Sequence, residues 1–160
     1  MSKTVVFESI SKFAIGKVIP VYFRNYNYCR LRTMISIDKE SRLVSEVVPD
    51  TIIIGNQTSW KYIFDYLTEE QKKVWKKYSP FLFSILHEIG HSQTLEGLNY
   101  EKIKNEKKSI SIFSADEKEV STKYRKIEDE ARADQWATEW VINNSELAKG
   151  LDKQIRKYYK

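Results

Sequence analysis

The chain has 160 residues, of which 41% are hydrophobic and 13% aromatic, enough for one domain with a sizeable core. A lone cysteine, Cys29, excludes an internal disulfide and a cysteine-rich zinc module, and an unreactive thiol is its expected state. No apolar stretch approaches the length of a membrane span, and Glu8 and Lys12 interrupt the apolar N-terminal run. The sequence predicts a single domain over residues 1–160 in the cytoplasm, without membrane attachment.

The net charge of +5 is modest and comes largely from two lysine-rich stretches, at 102–108 and 149–160. Such stretches usually form solvated faces of a protein. Neither is interleaved with aromatic residues or accompanied by a nucleic-acid-binding motif. We therefore do not expect nucleic acid to be the partner.

The first 57 residues are predicted to be mainly β, with a short helix within residues 2–17 that Gly16 ends. Alternating or β-branched runs predict strands, at 18–28, 30–37, 43–48 and 51–55. The first two strands are expected to pair as a hairpin. A polar turn is predicted at 38–42, and Pro49 is expected to break the chain before the last strand.

Residues 58–160 are predicted to be mainly helical. Helix is expected from Thr58 or Ser59 to about Tyr78. Thr68 and Gln71 have the pattern of a capping box, so a second helix is expected to begin there within this range. The inward-facing residues recur at helical spacing, at Trp60, Ile63, Phe64, Leu67, Val74, Trp75 and Tyr78.

The last third is also predicted to be helical after a charged excursion. Residues 98–114 lose helical periodicity and are expected to lie near the functional cleft. Ser114 with Glu117 has the pattern of a capping box, which predicts a helix to about Asn143. Ser145 is expected to cap a final basic helix.

One five-residue stretch, His87-Glu88-Ile89-Gly90-His91, contains both histidines of the chain. It has the H-E-x-x-H pattern of zinc hydrolases. Positions i and i+4 lie one turn apart on the same helix face, so both imidazoles can bind one metal ion. Glu88 lies about 100° away around the helix and can take a proton from a metal-bound water.

The helix that carries this motif has clear boundaries and an inner face. Ser79 and Pro80 are typical of an N-cap and a first helical residue, and Gly97 can end the helix. An apolar stripe at helical spacing is predicted to hold one face against the core, formed by Leu82, Ile85, Leu86 and Ile89.

A catalytic zinc needs three protein ligands, and the chain has no third histidine. The best carboxylate is Glu130, with Glu128 and Asp129 as alternatives. Asp134, one helical turn after Glu130, can accept the outer N–H of a ligand histidine. Small residues at 133 and 137 are expected to let this helix lie close to the motif helix at Gly90, with Trp136, Trp140 and Val141 facing the core.

The two motifs together resemble the ImmA/IrrE family of metallopeptidases, in which H-E-x-G-H precedes a helix reading E-x-E-A-N-x-F-A. Within residues 51–143, matching positions are Glu130, Ala133, Asp134, Trp136 and Ala137. The chain departs from the family at Arg132, where a second glutamate is usual, and at 140–143, where Leu-Leu-Met-Pro is usual. The i to i+4 spacing of Glu130 and Asp134 also resembles the gluzincins.

This resemblance implies an α+β zincin-like domain, in which a small N-terminal sheet packs on the motif helix. The implied function is a zinc metalloendopeptidase that cleaves a protein such as a phage or mobile-element repressor. Tyr100 and Tyr124 are candidate donors to the oxyanion, and 51–55 could provide the sheet edge along which a substrate lies. The alternative is an idle metal-binding module that recognises DNA or a protein.

Overall fold

The computed structural model describes residues 2–58, 63–113 and 117–159. These residues form an α+β fold with one three-stranded sheet and seven helices. The elements in chain order are α1 (Lys3–Ile15), β1 (Val21–Arg24), β2 (Arg30–Ile37), β3 (Val44–Gly55), α2 (Glu69–Trp75), α3 (Pro80–Thr94), α4 (Tyr100–Phe113), α5 (Glu117–Lys126), α6 (Glu128–Asn143) and α7 (Ser145–Arg156). The predicted α+β class is confirmed.

The sheet has the order β1-β3-β2, with β1 parallel and β2 antiparallel to β3. The predicted hairpin between the first two strands is therefore wrong. Val21 and Phe23 pair instead with Ile52 and Ile54, and this register stacks the apolar side chains of the two strands on the inner face. Because β3 is central, the prediction that residues 51–55 form a free edge is also wrong.

The predicted break at Pro49 is wrong too, because β3 runs through it. Arg32 pairs with Thr51 and Thr33 with Pro49, so Asp50 is an extra residue in the ladder. Such a bulge tolerates a proline, which has no N–H to donate to the sheet. The predicted turn at 38–42 and the N-terminal helix are confirmed, and Gly16 ends α1 with a φ of 71°.

The helix expected across 58–78 is wrong at residues 63–67, whereas its predicted restart at Thr68 is confirmed. Residues 63–66 form turns, and α2 begins only after Thr68, whose capping box with Gln71 is present. This box satisfies backbone donors at that point and so fixes the helix start. The proposed start at Ser59 and the inward Trp60 lie outside the described residues, whereas Phe64, Leu67 and Trp75 do contact the core.

Most of the region predicted as an aperiodic excursion is a helix, α4, over residues 100–113. Among its residues 100–110, Ile103 is buried and Tyr100 and Ile110 are partly buried, too few apolar positions to mark the helix in the sequence. Its lysines and glutamates nevertheless favour helix formation, and the Asn99 side chain accepts a hydrogen bond from the N–H of Lys102.

The boundaries of the remaining helices differ slightly from the prediction. A buried Ile127 separates α5 from α6, Asn144 and not Ser145 is the N-cap of α7, and Ser114 lies outside the described residues. Ser79 caps α3 as predicted, but α3 ends at Thr94, before Gly97. None of the helices in the described ranges combines the length and apolarity that crossing a membrane requires.

Candidate metal centre

The motif helix α3 places His87 and His91 side by side at the wall of a cleft. Its predicted apolar stripe is buried, which confirms the inner face and fixes the rotation of the helix. The Nε2 atoms of the two histidines lie 3.1 Å apart. One face of α3 thus belongs to the core and the adjacent face presents two imidazoles.

Glu130 on α6 completes a group of three potential ligands. Its Oε2 lies 2.9 Å from Nε2 of His87, and its Oε1 lies 3.4 Å from Nε2 of His91. A tetrahedral ion with bonds of about 2.0–2.1 Å separates its ligand atoms by about 3.3 Å. The observed spacings of 2.9 to 3.4 Å, two of which involve different oxygens of Glu130, lie near this separation, so His87, His91 and Glu130 could hold a metal ion.

Direct backbone contact between α3 and α6 brings these ligands together. A Cβ atom at Gly90 would lie 2.9 Å from the carbonyl oxygen and 3.2 Å from the Cα of Ala133, and 3.3 Å from the ring of Trp136. Only glycine fits at this position without a shift of one helix. The predicted close approach of the two helices is confirmed, and Trp140 and Val141 are buried as expected, whereas Trp136 is only partly buried.

Asp134 lies against the outer nitrogen of His87, as its sequence position predicted. Nδ1 of His87 is 2.7 Å from Oδ1 of Asp134. Since an ionised carboxylate can only accept, Nδ1 carries a proton, so a neutral His87 would present an unprotonated Nε2 to a metal. Arg125 on α5, which the sequence did not single out, donates to the same Oδ1 at 2.8 Å.

The two alternative ligands have other surroundings. Glu128 is exposed and pairs with Arg132 at 2.7 Å on the solvent side of α6. Asp129 is buried, but its Oδ2 accepts from Lys107 at 2.6 Å and lies 4.0 Å from Nδ1 of His91, on the side away from the shared Nε2 atoms. Its Oδ1 has no hydrogen-bond partner among the described residues.

Lys107, another residue that no motif indicated, reaches the site from α4. Its ammonium contacts Oε1 of Glu130 at 2.9 Å as well as Asp129, and it lies 5.0 Å from the centre of the Tyr124 ring. Burial opposes its charge, but the carboxylate of Glu130 outweighs this and raises the pKa of Lys107. Lys107 is therefore a permanent cation beside the third ligand.

For both His87 and Glu130, burial shifts the pKa in one direction and the neighbouring charged groups shift it in the other. Burial lowers the pKa of His87, yet hydrogen bonds to Asp134 and Glu130 outweigh it and raise that pKa to about 10. Burial raises the pKa of Glu130, whereas hydrogen bonds from His87 and His91 hold it well below 4.5. These environments stabilise a carboxylate together with a cation.

The ionised groups of the centre carry an excess of negative charge. Four carboxylates and two cations leave a formal charge of −2 when both histidines are neutral. A buried net charge of this size is costly unless a cation balances it. In the metal-free protein a proton on His87, whose pKa is raised to about 10, supplies part of that balance, and a divalent metal would replace it. The groups counted are Glu88, Asp129, Glu130, Asp134, Lys107 and Arg125.

The centre opens into a cleft of about 1180 Å³, which Glu88 also lines. The lining of the cleft also includes Cys29 and, from the edge strand β2, Arg30, Leu31, Thr33 and Ile35. Burial, with a contribution from Glu88, raises the pKa of the Cys29 thiol to about 11. An unreactive thiol agrees with the expectation from the sequence.

Both tyrosines proposed as oxyanion donors line the cleft. Burial and the negative charge of Glu130, together with a hydrogen bond to that carboxylate, raise the pKa of Tyr124 to about 12. The hydroxyl of Tyr124 is thus already engaged with the third ligand. Tyr100, at the start of α4, remains as the other candidate.

Comparison of the chain with protein-family models, with curated proteins and with solved structures finds no match. The resemblance to the ImmA/IrrE family therefore stays a prediction from the two motifs.

Proposed function

We propose that the protein is a zinc metalloendopeptidase with a zincin-like fold. One observation carries the proposal: two imidazoles and a carboxylate whose ligand atoms lie close enough to share one metal ion stand in the wall of a large cleft that Glu88 also lines. A site that only stored a metal would need neither the cleft nor this carboxylate.

The chemistry of the ligands supports zinc. Two imidazoles and one carboxylate form a ligand set that zinc hydrolases use, and it leaves a fourth position for water. When bound, zinc would acidify that water and polarise the scissile carbonyl. Asp134 supports this assignment because it fixes the tautomer of His87.

The side chains of the protein would handle the proton and the substrate. Glu88 would take the proton of the attacking water and deliver it to the leaving amine. Tyr100 is the better oxyanion donor, because Tyr124 is bonded to Glu130. An extended peptide would lie along β2, which is an edge strand of the described sheet and contributes residues to the lining of the cleft.

The class of substrate follows from the resemblance given above. It indicates a regulatory protein in the cytoplasm, such as the repressor of a phage or mobile element. The cleft is large enough for a polypeptide segment. The rival function is the idle metal-binding module, and activity measurements separate the two.

The first test measures metal. Purified protein should contain about one zinc per chain, and His91→Ala should lose it, because only two protein ligands would remain. Elemental analysis of both proteins decides this. Equal zinc content in the two would reject the site.

The second test measures the role of Glu88. Glu88→Gln keeps the size of the side chain but cannot accept a proton, so we expect full zinc content, an unchanged thermal transition and at least about 10²-fold less proteolysis. The assay uses a fluorescent casein and a co-expressed candidate repressor. If wild type cleaves neither while both proteins bind the repressor or DNA equally well, the binding module replaces the peptidase.

A further inference from the structure

Arg125 ends a chain of three side chains that starts at the metal centre. Nη1 of Arg125 lies 2.8 Å from Oδ1 of Asp134, and the same oxygen lies 2.7 Å from Nδ1 of His87. The exposed fractions of the three side chains are 19%, 5% and 8%, so water screens these contacts little. The chain links α5, α6 and α3 through a single carboxylate oxygen.

The surroundings of Arg125 fix its position as well as its charge. Its guanidinium carbon lies 5.6 Å from the centre of the Phe83 ring, one turn before His87 on α3. The ring of Phe83 is in turn 5.8 Å from that of His87. Arg125 is therefore packed against the same helix whose histidine it reaches through Asp134.

We propose that Arg125 is a positioning residue of the metal centre, which holds Asp134 so that His87 keeps Nε2 directed at the metal. The polar contact of Arg125 towards His87 runs through the shared carboxylate oxygen, because its guanidinium pairs with Asp134, the outer partner of that histidine. The inference rests on the proposed function, since it requires His87 to bind a metal.

Charge and positioning predict opposite effects of removing Arg125. A cation close to a divalent ion repels it, so by charge alone the neutral variant would bind metal more tightly. If Arg125 instead acts by holding Asp134 in place, the neutral variant lets Asp134 turn away from His87 and binds metal more weakly. Loss of an outer partner of a ligand histidine typically costs about 10 to 100-fold in affinity.

The test is a competition titration of zinc against a chelator for wild type, Arg125→Met, Asp134→Ala and the double variant. We expect Arg125→Met to weaken binding by about 10 to 100-fold, and the double variant to bind no more weakly than Asp134→Ala alone. Arg132→Met is the matched control: it removes an exposed arginine paired with Glu128 and should leave the affinity unchanged.

A second readout reports on His87 directly. The chain has two histidines, so the imidazole N–H signals in an NMR spectrum are simple to assign. The Nδ1–H signal of His87 should be sharp in the wild type and lost to exchange with water in Arg125→Met. A purely structural role would lower the thermal transition without this change.

Three results would overturn the inference: Arg125→Met binding zinc as tightly as or more tightly than the wild type, additive losses in the double variant, or an unchanged His87 signal. If Arg125→Met does not fold, Arg125→Lys decides. Lysine keeps the positive charge but lacks the planar guanidinium, so zinc binding should weaken by about 3 to 10-fold. Zinc affinity equal to that of the wild type would overturn the inference. Absence of zinc from the wild type would instead reject the proposed function itself.

Discussion

The centre has two halves that are built differently. The helices α3 and α6 supply all three potential ligands and touch backbone to backbone at Gly90. The helices α4 and α5 supply Lys107 and Arg125, which reach the centre through long side chains. The first half sets where a metal can bind, and the second half sets how firmly the carboxylates are held.

This difference has a physical basis in reach and rigidity. A short side chain on a helix in backbone contact with its neighbour has few positions available, so the ligand atoms are preorganised. Lysine and arginine have many rotamers and contribute charge over a longer distance. Changes in the first half should therefore abolish metal binding, and changes in the second half should adjust it.

The largest effect is expected at the third ligand. Glu130→Ala should reduce zinc affinity by more than the about 100-fold that outer partners contribute, because it removes one of three metal bonds. Glu128→Ala is the matched control, since Glu128 is exposed and paired with Arg132. Elemental analysis and a chelator titration measure both. Zinc retained in Glu130→Ala but lost in Glu128→Ala would move the third ligand.

The contact between α3 and α6 can be tested by adding one methyl group. Gly90→Ala should destabilise the protein by about 1 to 3 kcal/mol, because the new Cβ would meet the backbone of Ala133 at 2.9 Å. Gly150→Ala on α7 is the control: nothing lies within 4 Å of its added Cβ, so the helix should gain about 0.5–1 kcal/mol. Denaturant unfolding measures the free energy of unfolding of the wild type and of both variants. If Gly90→Ala were as stable as Gly150→Ala, α3 and α6 would not be in tight contact.

The sequence was most informative about the first half of the centre. The spacing of His87 and His91, the caps of α3 and the i to i+4 relation of Glu130 and Asp134 are local patterns, and the structure places all four side chains together. Lys107 and Arg125 lie on helices without a marked apolar stripe and meet the centre only through tertiary contacts. No local pattern indicates such residues.

The errors in the sheet have a similar cause. Strand propensity correctly located residues 30–37 and 51–55, but the pairing depends on which strand buries the most apolar surface. Ile52 and Ile54 are almost completely buried, and this favours β3 as the central strand with partners on both sides. A hairpin between neighbouring strands in sequence was therefore the wrong expectation.

The smallest expected effect has the opposite sign to that of Arg125→Met. Lys107 contacts Oε1 of Glu130 itself, so its charge acts directly on a ligand and competes with the metal. Lys107→Met should therefore tighten zinc binding by about 10-fold, while it destabilises the metal-free protein because Asp129 is left buried without its cation. A chelator titration and thermal unfolding of the metal-free protein measure the two effects. Weaker zinc binding in Lys107→Met would mean that Lys107, like Arg125, mainly holds a carboxylate in place. The proposed difference between a cation that contacts a ligand and one that contacts the outer partner of a ligand would then be wrong.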